Sequence, residues 1–270
     1  MGTTFTALKQ GFGDAGNHNA GLLAAGIAYY TFLAFMPLLA AIVLTYGLVV
    51  DPTTLATHML ELAETLPGSA AGLIEDQLAA VVEDRGSAKG LGLVVALSLS
   101  LFAARVAAGA VITAMNVAFG AEEDRGFIKS NLLALAITLG AVVAMGLVGA
   151  ATTLVSTVLS GSGGAFTSYA VVGLAGIAGA MIAYRLVPNT DHISLRAALR
   201  GSILFALGWM IASAGFGFYV ANFGNYNATY GSLGAIIVLL TWLYLSAYLL
   251  LLGAHFAAAS DEAGAIGSGS

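Results

Sequence analysis

The sequence contains no cysteine. Disulfides, Fe–S clusters, zinc ribbons and thiol nucleophiles are therefore excluded from its chemistry. Charge is scarce as well. Charged residues make up 9% of the 270 positions, where an average soluble domain has about 25%. Bases are outnumbered, 9 Lys+Arg against 14 Asp+Glu, for a net charge of −5. Nucleic-acid binding calls for a basic patch, and none is present, so no nucleic acid is expected as a partner. The four histidines also fall far apart. His18, His58 and His192 read as loop residues and His255 as the end of the last span, with no two at metal-ligand spacing. Neither a metal nor a cofactor is expected. No cleavable signal peptide is expected either, because Lys9 is the one base near the start and the first apolar run is too long.

What is present is apolar surface. Hydrophobic residues reach 59% and the mean hydropathy is +0.92. A soluble fold needs more polar atoms to cover itself, whereas acyl chains solvate an apolar exterior. Six runs exceed the roughly 20 residues that a bilayer demands. They cover about 22–50, 90–118, 128–159, 166–187, 197–221 and 231–258. The expected fold is all-α: one polytopic membrane domain with six transmembrane helices over 22–258. Pro37, near the middle of the first span, removes a backbone donor and bends the helix.

Three segments lie outside the spans. Residues 1–21 read as a cytoplasmic amphipathic segment. Phe5, Leu8 and Phe12 share a face with Lys9 off it, and glycines 11, 13 and 16 weaken its end. Residues 52–85 read as an external amphipathic helical hairpin. Asp51-Pro52 opens it, Leu55, Met59, Leu62 and Leu66 recur at helical spacing, and Pro67-Gly68-Ser69 turns the chain. Residues 259–270 are Gly/Ser-rich and expected to be a disordered cytoplasmic tail. With both termini inside, the inner segments hold Lys9, Arg125, Lys129, Arg185, Arg196 and Arg200, against Arg85 and Lys89 outside. That bias predicts a multi-pass cell-membrane protein with both termini cytoplasmic.

Arg105 stands close to the middle of the second span, where a charge costs about 2.5–3.5 kcal/mol. No span contains an Asp or Glu to balance it. The balance must come from carbonyls, polar side chains, a loop acid or a bound anion, and guanidinium is the side chain best suited to bidentate phosphate contact. A structural arginine that hydrogen-bonds inside the bundle is the competing reading. Asn116 lies about three turns further on nearly the same face, where interhelical bonding is its ordinary role. The connection before the last span carries Asn222, Asn225, Tyr226, Asn227 and Tyr230 without a charge. An interfacial aromatic belt accounts for the tyrosines, less well for the amides, which can line a polar cavity. Gly201, Gly208 and Gly215 repeat every seven residues; such a stripe lets helices approach closely, more often within one chain than between two. Glu122-Glu123-Asp124 reads as a solvated acidic loop.

An intramembrane serine protease is ruled out. The nearest serine motif, Ser160-Gly161-Ser162-Gly163, lacks the leading glycine of the rhomboid pattern. Ser162 would also face the opposite side of the membrane from His255.

Three stretches carry a family resemblance. Ala24-Ala25-Gly26-Ile27-Ala28-Tyr29-Tyr30 runs on to Pro37-Leu38-Leu39. Tyr184-Arg185-Leu186-Val187-Pro188-Asn189 is followed by Ala197-Ala198-Leu199-Arg200-Gly201. Tyr226-Asn227 leads through Tyr230-Gly231-Ser232-Leu233-Gly234-Ala235 to Trp242 and Leu252-Gly253-Ala254. Together they resemble the YihY/virulence factor BrkB family over about Ala20–Ala258. Arg105 and Asn116 also fall where that family carries an arginine and an asparagine. His255 departs from the glutamate usual after Leu-Gly-Ala, so any role needing a carboxylate there is in doubt. The resemblance implies an inner-membrane protein, in a family once labelled ribonuclease BN. Some of its members are linked to envelope lipid export.

The expected function is a transporter or flippase for an amphiphilic anionic substrate, with membrane lipids as partners. Its expected substrate residues are Arg105, Asn116, Tyr29, Tyr30, Asn222, Asn225, Tyr226, Asn227 and Tyr230. Pro37, Gly201, Gly208, Gly215, Gly231 and Gly234 are expected to kink or pack the helices. The alternative is a non-catalytic scaffold for envelope or lipid-processing proteins. The sequence leaves the oligomeric state open.

Overall fold

In the computed structural model the described residues are 2–49, 88–158, 162–190, 193–223 and 232–268, and among them every regular element is a helix. In chain order these are α1 (Gly2–Asn17), α2 (Ala20–Val49), α3 (Ala88–Ala118), α4 (Phe127–Val158), α5 (Ser162–Leu186), α6 (Leu195–Phe223) and α7 (Ser232–Ser268). Five of them are long and apolar enough to cross a bilayer, over Leu97–Ala118, Phe127–Val155, Phe166–Leu186, Leu195–Val220 and Ile236–Gly264. In α2 the apolar stretch found is the shorter Ala20–Phe35, within a helix of 30 residues. The helix continues through Pro37, whose ring leaves the Leu33 carbonyl without its donor four residues on. The hairpin expected at 52–85 lies outside the described residues.

The chain forms two compact units. One comprises 1–27, 108–215 and 244–270; the other comprises 28–107 and 216–243. The interior of the first is built of small side chains. Ala108, Ala114, Ala118, Ala180, Ala197, Ala198, Ala254 and Ala257 are buried, while Phe127, Ile128, Leu147, Leu174 and Ile211 are exposed. Water would reverse that order. In lipid there is no hydrophobic drive between helices, so close dispersion contact holds them and small residues belong inside.

The tightest contact is the crossing of α6 and α7. A side chain added at Gly201 would collide with the Gly253 carbonyl and the Ala257 methyl, and one at Gly253 would collide with the Gly201 oxygen. Gly208 faces Leu249 at 3.1 Å, whereas nothing lies within 4 Å of the Cβ position at Gly215. Three of the seven-spaced glycines thus differ in what they do. Tyr184, fully buried on α5, donates to the Leu250 carbonyl at 2.8 Å and ties a third helix to this crossing.

Helix ends in this unit follow local chemistry. Gly120 takes a positive φ of 62° after α3, and the Ala121 N–H returns to the Asn116 carbonyl at 2.8 Å. That is a Schellman stop, which a residue with a side chain resists. Ser194 caps α6, its hydroxyl accepting from the Ala197 N–H at 3.3 Å.

Two expectations require correction. Over 259–268 the chain is helical rather than a disordered tail, since α7 continues to Ser268. Ala259 and Ser260 are buried, Asp261 accepts from the Ser194 N–H at 3.0 Å, and Gln10 donates to Glu262 at 3.0 Å. Tertiary contacts thus offset its weak helical propensity. Nor do the glycines of α1 fray it. Ala7, Gly11 and Ala15 form its buried side, and a Cβ at Gly11 would meet Phe256 Cα at 2.8 Å. Phe5 and Phe12 are on the exposed side.

Candidate functional site

The expected substrate residues are not all in one place. Arg105, Tyr29 and Tyr30 belong to the unit formed by 28–107 and 216–243, and Asn116 belongs to the other. Arg105 is exposed on α3, within the apolar stretch Leu97–Ala118. Tyr29 and Tyr30 are exposed on α2, their rings edge to face at 5.6 Å. Asn222 lies in the last turn of α6. Asn225, Tyr226, Asn227, Tyr230 and Gly231 lie outside the described residues, and Gly234 is buried at the start of α7.

Asn116 is buried and bonds in both directions. Its Nδ2 donates to Glu123 Oε2 at 2.8 Å, and its Oδ1 accepts from the Asn189 N–H at 2.8 Å. Asn189 then ties the loop after α5 to the loop after α3. Its amide nitrogen donates to the Glu122 carbonyl at 2.9 Å and to the Asp124 carboxylate, and its Oδ1 accepts from Arg125 Nε at 3.1 Å. Arg125 Nη2 donates to the Val187 carbonyl at 2.9 Å. Its Nη1 is buried, makes no hydrogen bond and sits 3.7 Å from Glu123. The acidic run is therefore more than a solvated loop: Glu123 and Asp124 hold two connections together. An amide so engaged has little left for a ligand, so the network reads as a lock on this end of the unit. Beside it is a cavity of about 720 Å³ lined by Asp124, Arg125, Gly126, Phe127, Ile128, Lys129 and Asn189. Arg105 is not among its lining residues.

The structure also makes a pair that spacing in the sequence cannot reveal. His18, in the turn after α1, places Nδ1 3.3 Å from Nε2 of His255 on α7. The other nitrogen of His255, Nδ1, lies 2.8 Å from the Leu251 carbonyl. His255 is buried and His18 is exposed. The residues are 237 positions apart, so only the closure of α1 onto α7 joins them. Among the described residues no group of three or more His, Cys, Asp or Glu could hold a metal ion.

Chemically, then, the described residues offer a guanidinium exposed on an apolar helix, a polar lock and an imidazole pair. Two curated relatives are similar to the chain, one over most of its length and one over part. A putative ribonuclease-like protein, YfkH, of Bacillus subtilis is 28% identical over 265 residues, covering 91% of this chain and 92% of that protein. A UPF0761 membrane protein of Tolumonas auensis is 37% identical over 78 residues, 29% of this chain and 26% of that one. No solved structure matches the chain. The model of the virulence factor BrkB family matches residues 12–267, nearly the whole length. With its helices, its apolar exterior and that match together, the chain belongs to the virulence factor BrkB family of membrane proteins.

Proposed function

We propose that this protein moves an amphiphilic, anionic, lipid-like substrate across the cell membrane. The observation that carries the reading is Arg105, a permanent charge exposed on an apolar helix at about mid-span. A guanidinium at that depth is costly to place and marks a functional position. Guanidinium meets a phosphate or similar head group with two parallel donors. An exposed charge suits a path along the flank of the bundle: the head group slides past Arg105 while the acyl chains stay in the bilayer. Tyr29 and Tyr30, exposed on α2 of the same unit, supply ring edges and hydroxyls of the kind that flank such a path. The amides at 222, 225 and 227 complete the proposed set, with Tyr226 and Tyr230.

The proposed topology has α2 as a sixth span and both termini in the cytoplasm. The first compact unit supports it. The Gln10–Glu262, Ser194–Asp261 and Arg125–Asn189 bonds gather α1, the end of α7 and two connections at one end. Lys9, Arg125, Lys129, Arg185, Arg196 and Arg200, the bases expected inside, all lie in or beside those segments. We propose no ribonuclease activity, because the net charge of −5 offers RNA no basic surface.

The test compares wild type, Arg105→Lys and Arg105→Gln for thermal stability and for lipid movement in liposomes. Lysine keeps the charge and loses the planar fork, so movement should fall while the fold holds. Glutamine should abolish movement yet insert more easily. Unchanged movement in a well-folded Arg105→Gln would end the anion reading and leave the scaffold ahead. Parallel loss of stability and movement in both variants would make Arg105 structural.

A further inference from the structure

We propose that His18 and His255 form an acid-released clamp that holds α1 against the end of α7. The geometry points to it through hydrogen-bond balance. His255 Nδ1 faces the Leu251 carbonyl at 2.8 Å, so that nitrogen carries a proton. In the neutral ring Nε2 is then an acceptor. His18 Nδ1 stands 3.3 Å from it and must be the donor. One N–H therefore fills the gap between the rings.

Added protons act on this contact in opposite ways. One can go to Nε2 of His18, which is not the nitrogen that faces His255. It leaves the bridging N–H in place and turns the bond into a charge-assisted one. The second has no vacant nitrogen except His255 Nε2. Two N–H groups would then face each other across 3.3 Å, on two cations, one of them 1% exposed. That state breaks the contact. Acidification supplies that second proton.

The surroundings make the pair decisive for α1. Asp14 stands one turn before His18, whose N–H donates to its carbonyl at 2.8 Å. Glu262 on α7 is engaged by Gln10. Around the α1–α2 turn and the facing stretch of α7, the other buried residues are Ala15, Ala20, Ala24, Leu251 and Leu252, which do not titrate. The rest of the α1 contact is apolar and small, through Ala7, Gly11 and Ala15. With the clamp open, the Gln10–Glu262 bond still reaches from α1 to α7.

The cysteine-free chain allows a direct test. Spin labels at Phe12→Cys and Lys129→Cys, both exposed, report the position of α1 by pulsed dipolar distance. A second pair at Lys129→Cys and Arg196→Cys leaves α1 out. At about pH 7 the first pair should give one narrow distance, and at about pH 4.5 a longer or broader one, reversibly. The second pair should not change. In His18→Gln the amide can donate to His255 Nε2 or turn its oxygen to a protonated one, so α1 should stay closed at both values. An unchanged first pair in the wild type would overturn the clamp. So would equal opening in His18→Gln, or broadening of both label pairs, which is general unfolding.

Discussion

At the scale of single residues, function and packing separate along the sequence motifs. Tyr184, Asn189, Gly201 and Gly253 stand in the stretches that carry the family resemblance, and each is a contact point of the first compact unit. The seven-residue glycine spacing was legible; which glycine meets backbone was not, because that depends on the crossing point of two helices. Gly253→Val should cost about 1–3 kcal/mol through overpacking, read as a lower Tm in detergent. Gly215→Ala should be neutral or gain about 0.5–1 kcal/mol, since its surroundings are open and alanine is the better helix former. Asn116 was read as interhelical glue or a ligand group. Its partners turn out to be a loop acid and a loop N–H, which helical periodicity could not identify. Asn116→Ala would leave the Asn189 N–H without its partner and take one donor from Glu123, at about 1–3 kcal/mol. A Tm equal to wild type would show that the lock adds nothing.

At the scale of elements, long apolar runs were the clearest signal. The spans read from the sequence agree with α3 to α7 within a few residues at most ends, and exceptions such as the end of α7 arise where tertiary contact extends a helix. Propensity misjudged α1 and residues 259–268, whose glycines and serines read as breakers. Here Gly11 lets α1 dock on α7, while nothing lies within 4 Å of the Cβ positions at Gly13, Gly16 and Gly264. Periodicity marked Phe5, Leu8 and Phe12 as a face but assigned burial to no side; Phe5 and Phe12 are exposed, and alanines with Gly11 make the contact. Topology is testable at this scale. Single cysteines at positions 76, 124 and 191, offered to an impermeant thiol reagent on intact cells, should react at 76 alone. Reaction at 124 and 191 with silence at 76 would invert the orientation.

At the scale of the whole molecule, most buried apolar residues among those described are alanines, and many leucines, valines and phenylalanines are exposed. That much followed from 59% hydrophobic and 9% charged residues. The substrate did not, because a head group is recognised by groups from separate helices whose meeting no linear pattern encodes. Purified protein should not cleave a tRNA precursor with Mg²⁺. Cleavage lost on mutating Glu122, Glu123 and Asp124 together would contradict that. The central claim is selective movement of an anionic amphiphile, and it is tested most directly in proteoliposomes. Two lipids of equal chain length, one with an anionic and one with a zwitterionic head group, are followed from one leaflet to the other. The account predicts that the protein speeds the anionic lipid well above the protein-free rate, and above the zwitterionic one. Rates equal to protein-free liposomes for both lipids would contradict it.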